Sequence, residues 1–192
     1  MTAKNSYVKG VAKREEILRT TLEIFGREGA RKTTLRTVAK ESGISLTGLM
    51  HYFDSKDHLL VEVLRASDRR AEVRFYAPDT VRDPGELLAA ALTANSENAS
   101  RARLYVTLVA EATDPVHPAH AYFQERFARL RTAIADHLAA EERAGRVRPG
   151  VDPDFTASAI VAVSDGIMHQ WLSEPGIDMA GHVRRVWRML TA

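Results

Sequence analysis

Residues 34–53, TLRTVAKESGISLTGLMHYF, decide how this 192-residue chain folds. Apolar residues recur there at spacings of three and four, which predicts two short helices separated by Ser42-Gly43-Ile44-Ser45. Gly43 can adopt the positive φ that a tight turn requires, and Ala39 is small enough for close helix packing. The apolar residues of both helices can form one shared seam: Leu35, Val38, Ile44 and Leu49. The pattern predicts a helix-turn-helix, whose second helix enters the DNA major groove.

The side chains that this arrangement leaves outside suit contact with DNA. Thr47 can hydrogen-bond a base edge, His51 can reach a base or a phosphate, and Gly48 lets the backbone approach closely. Arg36, in the helix before the turn, has the length and geometry for guanine O6 and N7 or for a phosphate. Four further residues are candidates for contacts to the DNA backbone: Thr34, Ser45, Tyr52 and Lys56. Three of these residues also have a purely structural interpretation. Thr34 is a candidate helix cap, Tyr52 a candidate core residue, and Lys56 a candidate solvated charge.

The rest of the chain predicts further helices and no strands. A first helix is expected before Gly29, because Ile17, Leu18, Leu22 and Phe25 fall on one side of it. A fourth helix is expected over about 56–76, after the capping residues Asp54-Ser55. Asp83-Pro84 and Asp152-Pro153 are each typical of a cap followed by proline at the first helical position. Five more helices are expected at roughly 84–98, 101–113, 118–144, 153–173 and 178–190. The predicted fold class is therefore all-α, with about nine helices.

Composition and charge exclude several classes of protein and favour an anionic partner. Apolar residues make up 45% of the chain, and cysteine is absent, which excludes a disulfide scaffold and a cysteine nucleophile. No apolar run approaches the ~18–20 residues of a bilayer span, and residues 1–13 lack a signal-peptide stretch, so a cytoplasmic protein is expected. Residues 1–57 carry 11 Lys and Arg against 7 Asp and Glu, whereas 58–192 carry 16 against 18. This asymmetry favours contact between the N-terminal part and a polyanion.

At residues 13–63 the chain resembles the TetR family of bacterial transcriptional regulators. The resemblance covers about 50 contiguous residues, and three stretches carry most of it: 30–39, 43–45 and 48–60. It implies a three-helix DNA-binding domain over 1–57, followed by a helical effector-binding and dimerisation domain over 58–192. It also implies a homodimer that binds a palindromic operator in double-stranded DNA, and a small molecule that releases it. A repressor is the more common outcome in such a family, although activators share the same sequence features.

The resemblance also assigns DNA contacts by position. Thr34 matches a phosphate-contacting cap, Arg36 a base-reading position, and Lys56 a lysine that anchors to phosphate. The recognition-helix positions are Ser45, Leu46, Thr47, Gly48, Met50, His51 and Tyr52. The chain departs from the family pattern at two of them, because Met50 stands where tyrosine is usual and Leu46 where polar or basic residues are common. Both departures bear on which operator is recognised.

The second half of the chain offers residues for a partner subunit and for a ligand. Apolar stripes on the last two helices predict a two-fold interface that contains Phe155, Ile167, Trp171, Val183, Val186, Trp187 and Leu190. The alternative is a monomer in which these stripes are wholly internal. A ligand cavity between helices has six candidate lining residues: Tyr105, Leu108, Phe123, Phe127, Met168 and Trp171. Each of the six is also a candidate for ordinary core packing.

Two other functions are alternatives. Asp114, His117 and His120 are chemically able to bind zinc, but two prolines restrict their loop and no distant fourth ligand is evident. Asp165 and His169 lie four residues apart on a predicted helix, as a hydrolytic pair could. Phosphate-cradling and nucleophile motifs are absent from the sequence. We therefore expect no enzyme activity, no metal and no cofactor, and we keep a small helical enzyme or a metal-binding protein as the alternative.

Overall fold

The computed structural model describes residues 3–75 and 83–192, and the side chains of 8–70 and 83–192. These parts of the chain contain nine helices and no strand, which confirms the all-α prediction. The helices are α1 (Ala3–Glu28), α2 (Leu35–Glu41), α3 (Leu46–Met50), α4 (Lys56–Phe75), α5 (Pro84–Ser96), α6 (Ala99–Glu111), α7 (Ala119–Arg143), α8 (Pro153–Ser173) and α9 (Met179–Thr191).

The helices begin where the sequence supplies caps. The Asp83 side chain accepts a hydrogen bond from the Glu86 N–H, and Asp152 accepts from Asp154 and Phe155; each aspartate precedes a proline. The Ser55 hydroxyl accepts from the His58 N–H at 3.0 Å and caps α4. Helices α5 to α9 begin and end within two residues of the predicted bounds. Residue 76, the predicted end of the fourth helix, lies outside the described residues.

The chain forms two compact units. The first contains the described residues up to Arg70 together with Arg103–His120, and the second contains the described residues of Ala71–Ala102 together with Ala121–Ala192. Helices α4, α6 and α7 therefore each contribute to both units. These compact units do not test the predicted division into a DNA-binding domain (1–57) and an effector-binding and dimerisation domain (58–192), which stays a prediction.

The core of the first unit surrounds Phe53, which is fully buried. The guanidinium of Arg14 lies 5.3 Å from the centre of the Phe53 ring and also pairs with Glu62. Helix α1 thereby contacts the segment after α3 and the helix that follows it. The other large side chains buried here are Ile17, Leu18, Ile24, Val38, Leu49 and Leu59. This shared core fixes α1, α2 and α3 relative to one another.

In the second unit, α9 packs closely against the start of α5. A Cβ atom at Gly85 would lie 2.4 Å from the Trp187 ring, so only glycine leaves room for that side chain. Trp187 Nε1 donates a hydrogen bond to Asp83 Oδ2 at 2.6 Å. Val183, one turn before Trp187, is fully buried. These two side chains of α9 therefore belong to the interior of the unit.

Candidate nucleic-acid interface

The turn between α2 and α3 has the conformation that the sequence predicts. Gly43 has φ +64°, and its N–H donates to the carbonyl of Lys40 at 3.2 Å. The N–H of Ile44 donates to the carbonyl of Ala39 at 3.0 Å, so the turn closes the end of α2 with two backbone hydrogen bonds. Ser45 is extended, and its side chain accepts from the Gly48 N–H at 3.0 Å to begin α3. Two helices thus follow each other with one left-handed glycine between them.

Buried apolar residues hold these two helices together. Val38 and Leu49 are completely buried, and Ala39 is nearly so. Leu35 and Ile44, the other members of the predicted seam, are half-buried. Outside the seam, the Lys13 ammonium of α1 donates to the Ser42 carbonyl at 2.6 Å and pairs with Glu16 at 2.9 Å. Sequence reasoning missed Lys13, because no local pattern connects a lysine of α1 with a carbonyl 29 residues later.

The outer side of α3 carries most of the residues predicted to contact bases. Ser45, Thr47 and His51 are exposed, and Met50 is 49% exposed although it is a large apolar residue. Leu46, Gly48 and Tyr52 are half-buried. Because α3 is only five residues long, its outer side is short and these side chains lie close together. The structure therefore presents a compact surface that could enter a groove.

Helix α2 adds Thr34 and Arg36 to this surface. The Thr34 hydroxyl accepts from the Thr37 N–H at 3.1 Å, which makes it the cap of α2, and the residue is exposed. Arg36 is exposed and forms no hydrogen bond or ion pair with any residue of the described ranges. An exposed guanidinium on the helix before α3 is available for a DNA base or phosphate.

Lys56, which is predicted to contact phosphate, has a hydrogen-bond partner within the chain. It is half-buried, and its ammonium donates to the Ala30 carbonyl at 2.7 Å, in the loop before α2. An ammonium has three donors, so this contact leaves two for other acceptors. Lys56 therefore first connects the start of α4 with the loop between α1 and α2.

The helix-turn-helix surface is positively charged. Residues 29–53 contain one acidic residue, Glu41, and four basic ones: Arg31, Lys32, Arg36 and Lys40. Arg27 of α1 pairs with Glu41 at 2.6 Å and with Glu28 at 2.7 Å. The hydrogen bonds that Arg27 donates to the Glu28 and Glu41 carboxylates raise the pKa of Arg27 above its ordinary value. The single acid is thus paired with a cation from outside the motif, whereas all four basic residues are exposed.

Known proteins match both halves of the chain. Residues 17–63 match the family model described as bacterial regulatory proteins of the TetR family, and residues 85–191 match the BetI-type transcriptional repressor C-terminal model. The chain belongs to the TetR family. This TetR-family protein is a transcriptional regulator that binds DNA, and it is not an enzyme.

Individual relatives agree with this assignment. The HTH-type transcriptional regulator BetI of Stenotrophomonas maltophilia is 29% identical over 174 residues, which cover 85% of this chain and 83% of that protein. A TetR regulator from Haloarcula marismortui has the same fold, with a TM-score of 0.80, 19% identity, and coverage of 95% of this chain and 100% of that one. A regulator from Saccharomonospora viridis, solved in complex with choline, matches with a TM-score of 0.70, 22% identity, and coverage of 92% and 93%.

The predicted ligand residues of this TetR-family regulator fall in both compact units. Tyr105 and Leu108 belong to the first unit, and Phe123, Phe127, Met168 and Trp171 belong to the second. All are buried except Phe127, which is half-buried. The Phe123 and Phe127 rings lie 5.8 Å apart, and Met168 Sδ accepts a hydrogen bond from Asn95 at 3.3 Å. A separate surface cleft of about 420 Å³ lies between α5 and α9, and none of the six residues lines it.

The predicted interface residues of α8 and α9 divide into exposed and buried sets. Phe155 is 63% exposed, and Val186 and Leu190 are half-buried. The buried set contains Ile167, Trp171, Val183 and Trp187, and the close packing of Trp187 on Gly85 places it inside the unit. Sequence reasoning missed Met189, which is 68% exposed. Its position three residues after Val186 on an amphipathic helix was the available signal.

His117, in the loop before α7, and His120, in the first turn of α7, both form hydrogen bonds with the backbone. His117 Nδ1 accepts from the Ala119 N–H at 3.1 Å, and His120 Nδ1 lies 2.8 Å from the Ala112 carbonyl, to which it donates. His117 Nε2 lies 3.7 Å from a Glu111 carboxylate oxygen and 3.9 Å from one of Asp57. The described residues hold no group of three or more side chains that could bind a metal ion. Nor do they include a helix long and apolar enough to cross a bilayer.

Substitution of Gly43 tests the turn. A side chain at φ +64° costs about 1–2 kcal/mol, so Gly43→Ala should lower the free energy of unfolding by that amount. Gly43→Asn is the matched control, because asparagine adopts this region more readily and should lose less. Urea denaturation followed by circular dichroism measures both variants. Gly43→Ala with unchanged stability would contradict the proposed strain at this position.

Proposed function

We propose that this regulator is a homodimeric repressor that acts in the cytoplasm and binds a palindromic operator. In this proposal residues 1–57 bind DNA, residues 58–192 dimerise and bind a small molecule, and that molecule releases the operator. The main observation that supports DNA binding is the exposed, positively charged outer side of the helix-turn-helix. The match of residues 85–191 to a repressor-type C-terminal model supports repression.

The DNA-binding part of the proposal assigns two kinds of contact. Helix α3 enters the major groove, where Thr47, Met50 and His51 face base edges and Gly48 permits close approach. Met50 and half-buried Leu46 offer apolar contact, which suits a thymine methyl group. Thr34, Ser45 and Tyr52 contact the sugar-phosphate backbone, and Lys56 uses its remaining donors there. Arg36 reaches a guanine from α2.

Gel-shift assays with genomic fragments test DNA binding, and substitution of Arg36 tests the specificity of that binding. Arg36→Ala should weaken binding to the selected operator by about 1–3 kcal/mol, because a bidentate contact to guanine is lost. Arg131→Ala, which removes an exposed arginine of α7, is the control for net charge. If no fragment shifts in a sequence-selective, salt-sensitive way, the proposed function is wrong. If operators shift equally with both variants, Arg36 does not read a base.

The dimer part of the proposal rests on apolar side chains that the single chain leaves in solvent. Phe155 of α8 and Met189 of α9 are both more than half exposed, and Val186 and Leu190 add half-buried apolar surface beside Met189. Pairing α8 and α9 with the same helices of a second copy would cover these residues in a two-fold four-helix bundle. Two DNA-binding units would then fit half-sites about one helical turn apart, ~34–36 Å, or a multiple of it.

A charge placed on this surface tests the interface. Met189→Glu should convert the dimer to a monomer, because the interface would bury an unpaired carboxylate at a cost of about 3–5 kcal/mol. Light scattering after size exclusion measures the mass directly. Thr132→Glu, which adds the same charge to an exposed position of α7, should remain a dimer. A dimeric Met189→Glu protein would show that another surface forms the contact.

The effector part of the proposal concerns an organic cation of the choline type. Choline is bound in the Saccharomonospora viridis structure, and the second unit of this chain holds the neighbouring aromatic residues Phe123 and Phe127. Aromatic faces attract quaternary ammonium groups. To induce, the effector must bind the DNA-incompetent arrangement more tightly, since equal affinity for both arrangements would shift nothing.

Replacing one aromatic ring tests this ligand class. Phe127→Leu keeps apolar volume but removes the ring, so choline affinity should fall by about 0.5–2 kcal/mol in calorimetry. The neutral isostere 3,3-dimethylbutan-1-ol should bind the wild type weakly, because it lacks the cationic charge. Equal binding of choline by both proteins excludes Phe127 from the site. No choline binding by the wild type excludes this ligand class.

A further inference from the structure

The loop between α1 and α2 is fixed by several hydrogen bonds. Gly29 has φ +77°, and its N–H donates to the Phe25 carbonyl at 2.9 Å. Thr33 donates twice to the Gly29 carbonyl, from its N–H at 3.2 Å and from its hydroxyl at 2.9 Å. Thr33 is almost completely buried. The loop therefore has one defined conformation, anchored at both ends.

Two basic side chains project from this fixed loop without a partner. Arg31 and Lys32 are adjacent and exposed, and neither forms a hydrogen bond or an ion pair within the part of the chain that the structure describes. The acidic residues on either side in sequence, Glu28 and Glu41, both pair with Arg27. Two adjacent cations on an ordered loop create a local positive potential, which attracts an anionic partner.

A hydrogen bond from Lys56 also fixes the loop between α1 and α2. Its ammonium donates to the Ala30 carbonyl, the residue directly before Arg31, at 2.7 Å. The same lysine begins α4, immediately after the helix-turn-helix. Its contact therefore sets the position of the two loop cations relative to the motif within the first unit.

We infer that this loop is an additional phosphate-binding element, in which Arg31 and Lys32 contact the DNA backbone and Lys56 acts as a positioning residue. The inference rests on the proposed DNA-binding function and adds contacts outside the recognition helix. Arginine and lysine bind phosphate without regard to base sequence. The loop therefore contributes affinity to every duplex, and it contributes none of the discrimination between operators.

The salt dependence of binding measures such contacts separately from base reading. Each phosphate contact releases counterions, so the logarithm of the binding constant falls with the logarithm of salt concentration by about 0.9 per contact. Removing Arg31 and Lys32 should therefore reduce this slope by about 1.8 for each subunit bound. The ratio of affinities for operator and scrambled duplexes should stay unchanged, because both duplexes present the same phosphates.

Fluorescence anisotropy at salt concentrations from about 50 to 200 mM tests the inference on the full chain, with the selected operator and a scrambled duplex. The variants are Arg31→Ala/Lys32→Ala and Arg31→Gln/Lys32→Gln, which retains long polar side chains, and the control is Arg131→Ala. We expect both double variants to lower the slope on both duplexes and Arg131→Ala to leave it unchanged. A wild-type slope in the double variants would overturn the inference, and so would a loss confined to the operator.

A second comparison tests the positioning role of Lys56. Lys56→Met should weaken DNA binding in the wild-type background by more than it does in the Arg31→Ala/Lys32→Ala background, because the loop cations no longer need positioning there. Equal losses in both backgrounds would show that Lys56 does not act through the loop. A failure of the proposed function would be seen in the wild type instead. A wild-type protein that does not prefer its operator to the scrambled duplex would refute sequence-specific binding itself.

Discussion

The left-handed turn at Gly43 is the constraint on which the rest of the DNA-binding surface depends. It lets α2 end and α3 begin within four residues, while Val38 of α2 and Leu49 of α3 both remain buried. Only with that geometry does a helix as short as α3 have a defined direction, because five residues make too few hydrogen bonds to be stable alone. Tertiary packing therefore determines which side chains of α3 face outward.

The distribution of charge follows from the same arrangement. Helix α1 supplies Arg27, which pairs with Glu41, and Lys13, which donates to the Ser42 carbonyl. A neighbouring helix thus fixes the motif and partners its one acidic residue. The basic residues of the motif itself remain in solvent. A polyanion is the partner that such a surface favours, and the family assignment identifies that partner as DNA.

Local chemistry made much of this predictable from the sequence. The caps at Thr34, Asp83 and Asp152 and the glycine at position 43 determine helix ends through contacts with near neighbours, and the structure has all four as expected. Contacts between distant residues were not predictable. The Lys56 contact with Ala30 depends on how α4 lies against a loop 26 residues earlier. Burial of Trp187, similarly, depends on a glycine at position 85 that leaves room for its ring. Periodicity predicted the apolar side of α9, but it could not distinguish residues that face the chain's own interior from residues that face a second copy.

Selection of bound duplexes from a random pool tests the central claim most directly, since it makes no assumption about the operator. Two copies of the exposed α3 surface, related by a two-fold axis, should enrich an inverted repeat whose half-site centres lie about 10–10.5 base pairs apart, or a multiple of that spacing. A pool that shows no enrichment, or that converges on a sequence without inverted symmetry, would contradict the account.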